Sequence, residues 1–277
     1  MKIMSLCQLL APIRKNLKNI VFFFISVFVL NSCGMDAVYY LYAPTSTYNV
    51  PTITSANYSN PSANYETAYC SFKTQQDLNA QYTSDDSPYQ FLGTAIYYRI
   101  YNNYETMNSD ISAISTKISS TNEADAATYI IETKKYQPLR ASGTSNDPLI
   151  PANKTDTNDT VYIRLTNYQS EEMFSARILV GDGCESGSGG TNYGVPLRNV
   201  TENYNFDFGR KQGSENKKVI PQSGDADVTI SSTAKASGVW YVALYAIGVG
   251  RDESFTTSYS NALHLGAVAI SENDENN

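Results

Sequence analysis

Val239-Trp240-Tyr241-Val242-Ala243-Leu244-Tyr245-Ala246-Ile247-Gly248-Val249, answered after a polar interval by Asn261-Ala262-Leu263-His264-Leu265-Gly266-Ala267-Val268-Ala269-Ile270, decides the fold. Successive side chains of a strand point to opposite faces. The first run therefore gathers Trp240, Val242, Leu244 and Ala246 on one side, and the second gathers Leu263, Leu265 and Ala267. Two long alternating runs joined by polar residues read as a closing pair of strands. The same period recurs upstream. Thr67 to Thr74 sets Ala68, Cys70 and Phe72 against Tyr69, Ser71 and Lys73, and Phe91 to Tyr101 sets Ile96, Tyr98 and Ile100 against Tyr97, Arg99 and Tyr101. Val161 to Asn167 and Met173 to Val180 read as two further strands, with weaker ones near Thr52 to Ala56, Asn205 to Phe208 and Asp227 to Ser231.

The middle of the chain changes period. Ile111, Ile114 and Ile118 recur at spacings of three and four behind Ser109 and Asp110, which could cap a helix start. A second helical stretch over Glu123 to Lys135, ended by Pro138, would turn Ala127, Ile130 and Ile131 inward. The expectation is a mainly β chain: an antiparallel β-sandwich over 51–270 with a helical insertion at about 108–136, and a mobile polar tail over 271–277.

The beginning of the chain speaks to location. Lys2, Arg14, Lys15 and Lys18, with no acid among them, precede an apolar run from Ile20 to Leu30. This is the order of a secretory signal. The run falls short of the roughly 20 apolar residues that a spanning helix needs. Leu30-Asn31-Ser32-Cys33-Gly34 then matches a lipobox, except that Asn31 stands where a small residue is usual. Residues 1–32 are thus expected to be a signal peptide and Cys33 the lipidated cysteine at the head of a tether over 33–50. The alternative is ordinary secretion with cleavage elsewhere. Each buried methylene of an acyl chain contributes about 0.8 kcal/mol, so two or three chains of palmitate length on one cysteine would hold the protein to a membrane. The expected place is the bacterial cell envelope, outer membrane included, with the membrane partner reached through the lipid.

Loss of residues 1–32 would remove four basic and no acidic side chains, taking the formal charge from −7 to −11. Such a balance repels phosphate backbones, so nucleic acid is not an expected partner. Cys70 and Cys184 are the only cysteines left to pair once Cys7 and Cys33 are accounted for. A disulfide between them would close a loop of about 100 residues and contribute roughly 4 to 5 kcal/mol. The other reading is a buried thiol in a strand and an unrelated loop thiol.

The closing pair resembles the last hairpin of a fibronectin type III domain: Trp240-x-Val242-x-Leu244-x-Ala246 matches that family's aromatic-x-Val-x-Val-x-Ala strand, and Ser258-Tyr259-Ser260-Asn261 its Ser-rich entry to the final strand. Gly93 with Ile96 and Tyr98 resembles its third strand, and the resemblance puts Phe72 in the place of its core tryptophan. No proline follows Phe72, Trp240 replaces the usual tyrosine, and the helical middle has no counterpart. The resemblance implies an immunoglobulin-like or fibronectin III-like sandwich. The chain as a whole is also similar to uncharacterised spirochaetal lipoproteins, which implies a location and no activity.

Chemistry-bearing residues are sparse. His264 is the single histidine, so histidine-rich metal sites and a Ser-His-Asp triad are poorly supplied. No catalytic residue, metal site or cofactor is assigned. Gly181 to Gly190 lacks the Gly-Lys-Ser/Thr ending of a phosphate loop and reads as a flexible connection. Asp156-Thr157-Asn158-Asp159 lacks the Gly and distal Glu of a calcium loop, and Asp85-Asp86 and Glu171-Glu172 read as solvent-facing turns. Tyrosine is the one suggestive enrichment. Tyr97, Tyr101 and Tyr245 could line an exposed binding face, or could lie packed beneath the helical insert. Three functions follow: a non-catalytic module binding a protein or polysaccharide, a glycan-acting enzyme with an unrecognised carboxylate pair, or a structural subunit of an envelope assembly.

Overall fold

Trp240, Val242, Leu244 and Ala246 do share one face, and that face is the inside of the protein. The computed structural model describes residues 40–46, 48–53, 66–82, 87–120, 122, 124–153, 159–167, 175–213, 217–233 and 238–272. The signal, Cys33, Asp85-Asp86, Asp156 to Asn158 and Glu171-Glu172 lie outside those residues.

Strand (39%) outweighs helix (19%), and the strands form two main sheets whose pairings are antiparallel apart from one. The first sheet has the order β1 (Thr45–Ser46), β2 (Cys70–Lys73), β7 (Thr160–Arg164), β8 (Arg177–Val180), β9 (Thr191–Gly194). The second has the order β13 (Val228–Thr229), β3 (Tyr89–Tyr101), β14 (Val239–Asp252), β15 (Thr257–Ser271), with β4 (Gln137–Pro138) and β6 (Ile150–Pro151) also on β3. Two small ribbons complete the set: β5 (Arg140–Ala141) with β10 (Pro196–Leu197), and β11 (Lys211–Gln212) with β12 (Lys217–Lys218). The parallel exception is β13 on β3, pinned by Arg99, whose Nε donates to Thr229 Oγ1 and whose Nη2 donates to the Val228 carbonyl.

The sheets face each other across one core. Cys70, Phe72, Val161, Ile163, Ile178 and Val180 meet Ile96, Tyr98, Ile100, Trp240, Val242 and Leu244 there. Burying a side chain as large as Phe72 contributes about 1.5 to 3 kcal/mol. The other face of the second sheet is also covered. Helices α2 (Tyr104–Ile118) and α3 (Ala124–Thr128), extended by a π-helical turn over Tyr129–Thr133, lay Met107, Ile114, Ala126, Ala127 and Ile130 on Tyr101, Tyr241, Ala243, Tyr245 and Ile247. The helical stretch is thus a third layer, and β14 lies between two cores. That explains why its sequence is nearly continuous in apolar residues where a half-buried strand would alternate with polar ones.

Several expectations are corrected. Helix α2 starts five residues before Ser109, capped by Asn103, whose side chain accepts from the Thr106 N–H at 2.8 Å. Ala267 faces the helices and not the inner core, because Leu265 bulges out of register between the pairs Leu244↔Gly266 and Tyr245↔His264. Gly266 permits this with φ +97 and with the Pro51 carbonyl 2.4 Å from where a Cβ would stand. The supposed tether packs from Tyr40 onward: Leu41 is buried and β1 pairs with β2. Thr52 and Ile53 are not strand, and Asn205 to Phe208 makes only an isolated bridge to Leu197. At the start of the tail, Glu272 is held by its N–H on the Gly238 carbonyl and its carboxylate on Trp240 Nε1 at 3.0 Å.

Candidate binding cleft

Gly93 is where the site begins. Its φ is +137, and a Cβ there would stand 2.1 Å from the Ile150 carbonyl, so only glycine lets β6 close against β3. Beyond it, β4 pairs with the same strand at Tyr97 and Tyr98, and the Leu139 N–H donates to the Ile96 carbonyl. The chain between these two attachments bows away from β3 and is held on its far side by β10, with the Ser142 N–H on the Val195 carbonyl and the Val195 N–H on Ser142 Oγ. A cleft of about 910 Å³ opens under the bow, within the range of small-ligand sites.

Its lining is mixed. Leu92, Ala95, Pro138 and Val249 give apolar floor, while Ser145, Asn146, Asp147, Asn199, Asn203 and Thr257 present hydroxyl, amide and carboxylate groups. Tyr97 and Tyr259 form one wall of the cleft. Burial pushes both phenols above their ordinary range, and the Asp147 carboxylate adds to this for each. Both therefore remain neutral hydrogen-bonding groups at any physiological pH. Asn199 is oriented by its own backbone N–H, which donates to Tyr98 Oη at 2.6 Å, and by Nδ2 donating to Gln137 Oε1 at 3.3 Å. Arg140 donates Nη2 to the Arg198 and Val200 carbonyls, and its buried Nε has no hydrogen-bond partner. Asp147 is the sole carboxylate among the described lining residues. A cleft of this kind can orient a hydroxyl-rich or amide-rich ligand. Canonical glycoside hydrolysis uses a pair of carboxylates, of which the described lining residues supply Asp147.

Of the tyrosines expected on an exposed face, only Tyr97 reaches the cleft. Tyr101 and Tyr245 are fully buried under the helices, which is the packed alternative. There Tyr101 Oη donates to Asp110 Oδ2 at 3.0 Å and lies 3.1 Å from Tyr136 Oη, and Lys134 Nζ holds the other Asp110 oxygen at 2.6 Å. Tyr245 meets Tyr136 edge-on and packs at a tilt against His264, its cross-strand partner. Burial lowers the His264 pKa to about 4, so it stands as a neutral packing group; it does not line the cleft.

The candidate disulfide is not formed. Both thiols are free and buried, on opposite faces of the first sheet. Cys70 points into the inter-sheet core, while Cys184 sits outside with Tyr162 and Leu179 and donates to the Thr160 carbonyl at 3.1 Å. The sheet itself separates them. Burial raises their pKa values to about 12 and about 11, which leaves neither thiol as a reactive nucleophile. Among the described residues no group of histidine, cysteine or acidic side chains could hold a metal ion, and no helix is long and apolar enough to cross a membrane. Sequence reasoning missed Asn146, Asp147, Asn199 and Asn203, for they sit in loops with no motif spacing. The short Pro138 and Pro148-bounded segment between two strands was the available signal.

Comparison of the chain with protein-family models, curated proteins and solved structures finds no match.

Proposed function

We propose that this chain is a lipid-anchored protein of the bacterial cell envelope whose β-sandwich is a non-catalytic binding module. The anchor rests on the basic and apolar leader and on the lipobox ending at Cys33. Binding rests on one observation, the cleft with its Tyr97–Tyr259 wall and its ring of amides and hydroxyls. Of the two ligand classes a sequence reading allows, that lining favours a polysaccharide. Tyrosine rings offer flat apolar area with a polar tip, and Asn and Ser/Thr side chains match sugar hydroxyls. The fibronectin III-like assignment belongs to the same proposal. It is supported by Phe72 and Trp240 both lying in the inter-sheet core, and strained by the helical layer.

Two measurements test it. Labelled palmitate should enter the wild-type protein and not the Cys33→Ser protein. Purified protein should bind a neutral envelope polysaccharide, with Tyr259→Ala weakening binding about tenfold, the loss of one aromatic contact of 1.4 kcal/mol or so. Label entering both proteins equally would remove the anchor. Binding only to a protein partner would replace the polysaccharide. Turnover of a glycan, abolished by Asp147→Asn, would establish the enzyme instead.

A further inference from the structure

The hairpin joining β14 to β15 ends in Phe255, which is 75% exposed and holds φ +62. An aromatic residue is seldom found in the left-handed region, and one that also faces water pays twice for its place. The turn is well made around it. The Asp252 N–H donates to the Thr256 carbonyl, the Phe255 N–H to the Asp252 carbonyl, and the Thr256 N–H to Asp252 Oδ1. Arg251 lies over the Phe255 ring. The phenyl group is presented, not left over.

Its neighbours extend the apolar character. Asp252 pairs with Tyr89 on β3, and the Tyr89 ring meets that of Tyr82 edge-on at 5.5 Å. Tyr82 ends the 3-10 turn that continues helix α1 (Gln76–Asn79), on which Leu78 is 44% exposed. Asn79 of that helix bonds both the N–H and the carbonyl of Tyr42, which is 37% exposed and packs edge-on with the 46% exposed Tyr40. Scattered surface hydrophobics need no explanation. Here four of the large exposed hydrophobics, Tyr40, Tyr42, Leu78 and Phe255, are carried by segments tied to one another through Asp252, Tyr89, Tyr82 and Asn79 at the Tyr89 end of β3.

We propose that this end rests on the surface of the bilayer, with Phe255, Leu78, Tyr40 and Tyr42 in the headgroup region. The inference depends on the lipid anchor proposed above. Tyr40 is the seventh residue after Cys33, and seven residues reach at most about 25 Å, so a lipidated Cys33 would keep Tyr40 within that distance of the membrane surface. Tyrosine and phenylalanine with a polar surround are the side chains that favour a membrane interface. Charge selects the lipid. Arg251 is answered by Asp252 and Glu253, and Asp77 adjoins Leu78, so the end has no basic excess and suits zwitterionic headgroups over anionic ones.

The test places an indole at three sites of the full lipidated chain, by Phe255→Trp, Leu78→Trp and Ile230→Trp, in phosphatidylcholine vesicles with a brominated lipid as quencher. Trp240 is buried and sets a common background. Ile230 is the control. It is 44% exposed but follows β13, which pairs with Ile100 and Tyr101 at the other end of β3 from Tyr89. Fluorescence from the Phe255→Trp and Leu78→Trp proteins should be quenched at least twofold more than that of the Ile230→Trp protein. Equal quenching at all three sites, in protein that floats with the vesicles, overturns the membrane-facing end and leaves the anchor intact. Wild-type protein that does not float overturns both.

Discussion

Asp227 has no exposed side-chain surface, and both its oxygens are committed to Arg198, through Nε at 2.8 Å and Nη2 at 2.7 Å, with Tyr98 Oη donating at 2.7 Å as well. Burial opposes the charge of Arg198, and the carboxylates of Asp227 and Asp225 more than offset it. Removing one member of a buried pair strands the other, which typically costs about 3 to 5 kcal/mol. Asp227→Asn keeps the shape and loses the charge, so its urea midpoint should fall by the equivalent of that amount. Asp225, whose side chain is 27% exposed, also bonds Arg198 at 2.6 Å, yet solvent screens it. The Asp225→Asn protein should lose about 1 kcal/mol or less. Equal small shifts in both variants would show that the pair is dispensable. The buried pair also matters to the cleft, because Tyr98 accepts from the Asn199 backbone and so carries the order of Asp227 to a lining residue.

Helix α2 begins where a polar side chain, not a hydrophobic repeat, sets the boundary. Asn103 caps the Thr106 N–H through Oδ1 and donates Nδ2 to the Thr233 carbonyl at 3.0 Å, so it fixes both the start of the helix and the loop beside it. Oδ1 also accepts from Thr106 Oγ1 at 2.9 Å, and Asn103→Ala removes all three bonds and should cost about 1 to 2 kcal/mol. Asn103→Asp keeps the cap and should recover about half, as read by thermal unfolding. No recovery would mean that the loop bond, and not the cap, is what Asn103 supplies. The same element shows why some features were legible in sequence and others were not. Alternation in Ile96-Tyr97-Tyr98 registers burial directly, and the long apolar run from Trp240 to Ala246 marks a strand even though both its faces are covered, so those strands could be read. The cap lay outside the isoleucine repeat that drew attention to Ser109. Strands β4, β5, β6 and β10 are two residues each and leave no period at all, although they hold the cleft. Arg198 and Asp227 stand 29 residues apart, and nothing local announces their meeting. Alternation also misplaced Ala267, since a single bulged residue reverses every face after it.

Taken as a whole, the molecule is buried on both sides of its second sheet, and the groups trapped there set how it responds to pH. His264 has its pKa lowered from 6.5 to about 4 by burial. The folded state then binds fewer protons than the unfolded state between those values, so its contribution is complete above about pH 6.5 and is lost as pH falls toward 4. The full loss is about 3 kcal/mol. Tyr98, Tyr101, Tyr136 and Tyr245 shift the other way. Burial raises all four, and the charges of Asp227 and Asp110 add to it for Tyr98 and Tyr101. Folded protein keeps phenolic protons that the unfolded chain releases near pH 10, so their contribution is complete below that pH and falls as pH rises through the folded values. The buried thiols of Cys70 and Cys184, also raised by burial, act in the same sense from about pH 9, so stability measured by urea should form a plateau between about pH 6.5 and 9, with a gentle acid limb and a steep alkaline one. Replacing His264 by Gln should flatten the acid limb between pH 6.5 and 4 and leave the alkaline limb unchanged. Tyrosinate absorbance should rise in two stages, exposed phenols first and the buried ones together with loss of β structure. A smooth single titration with no coupled unfolding would mean that these rings are not enclosed, and the three-layer packing would have to be redrawn.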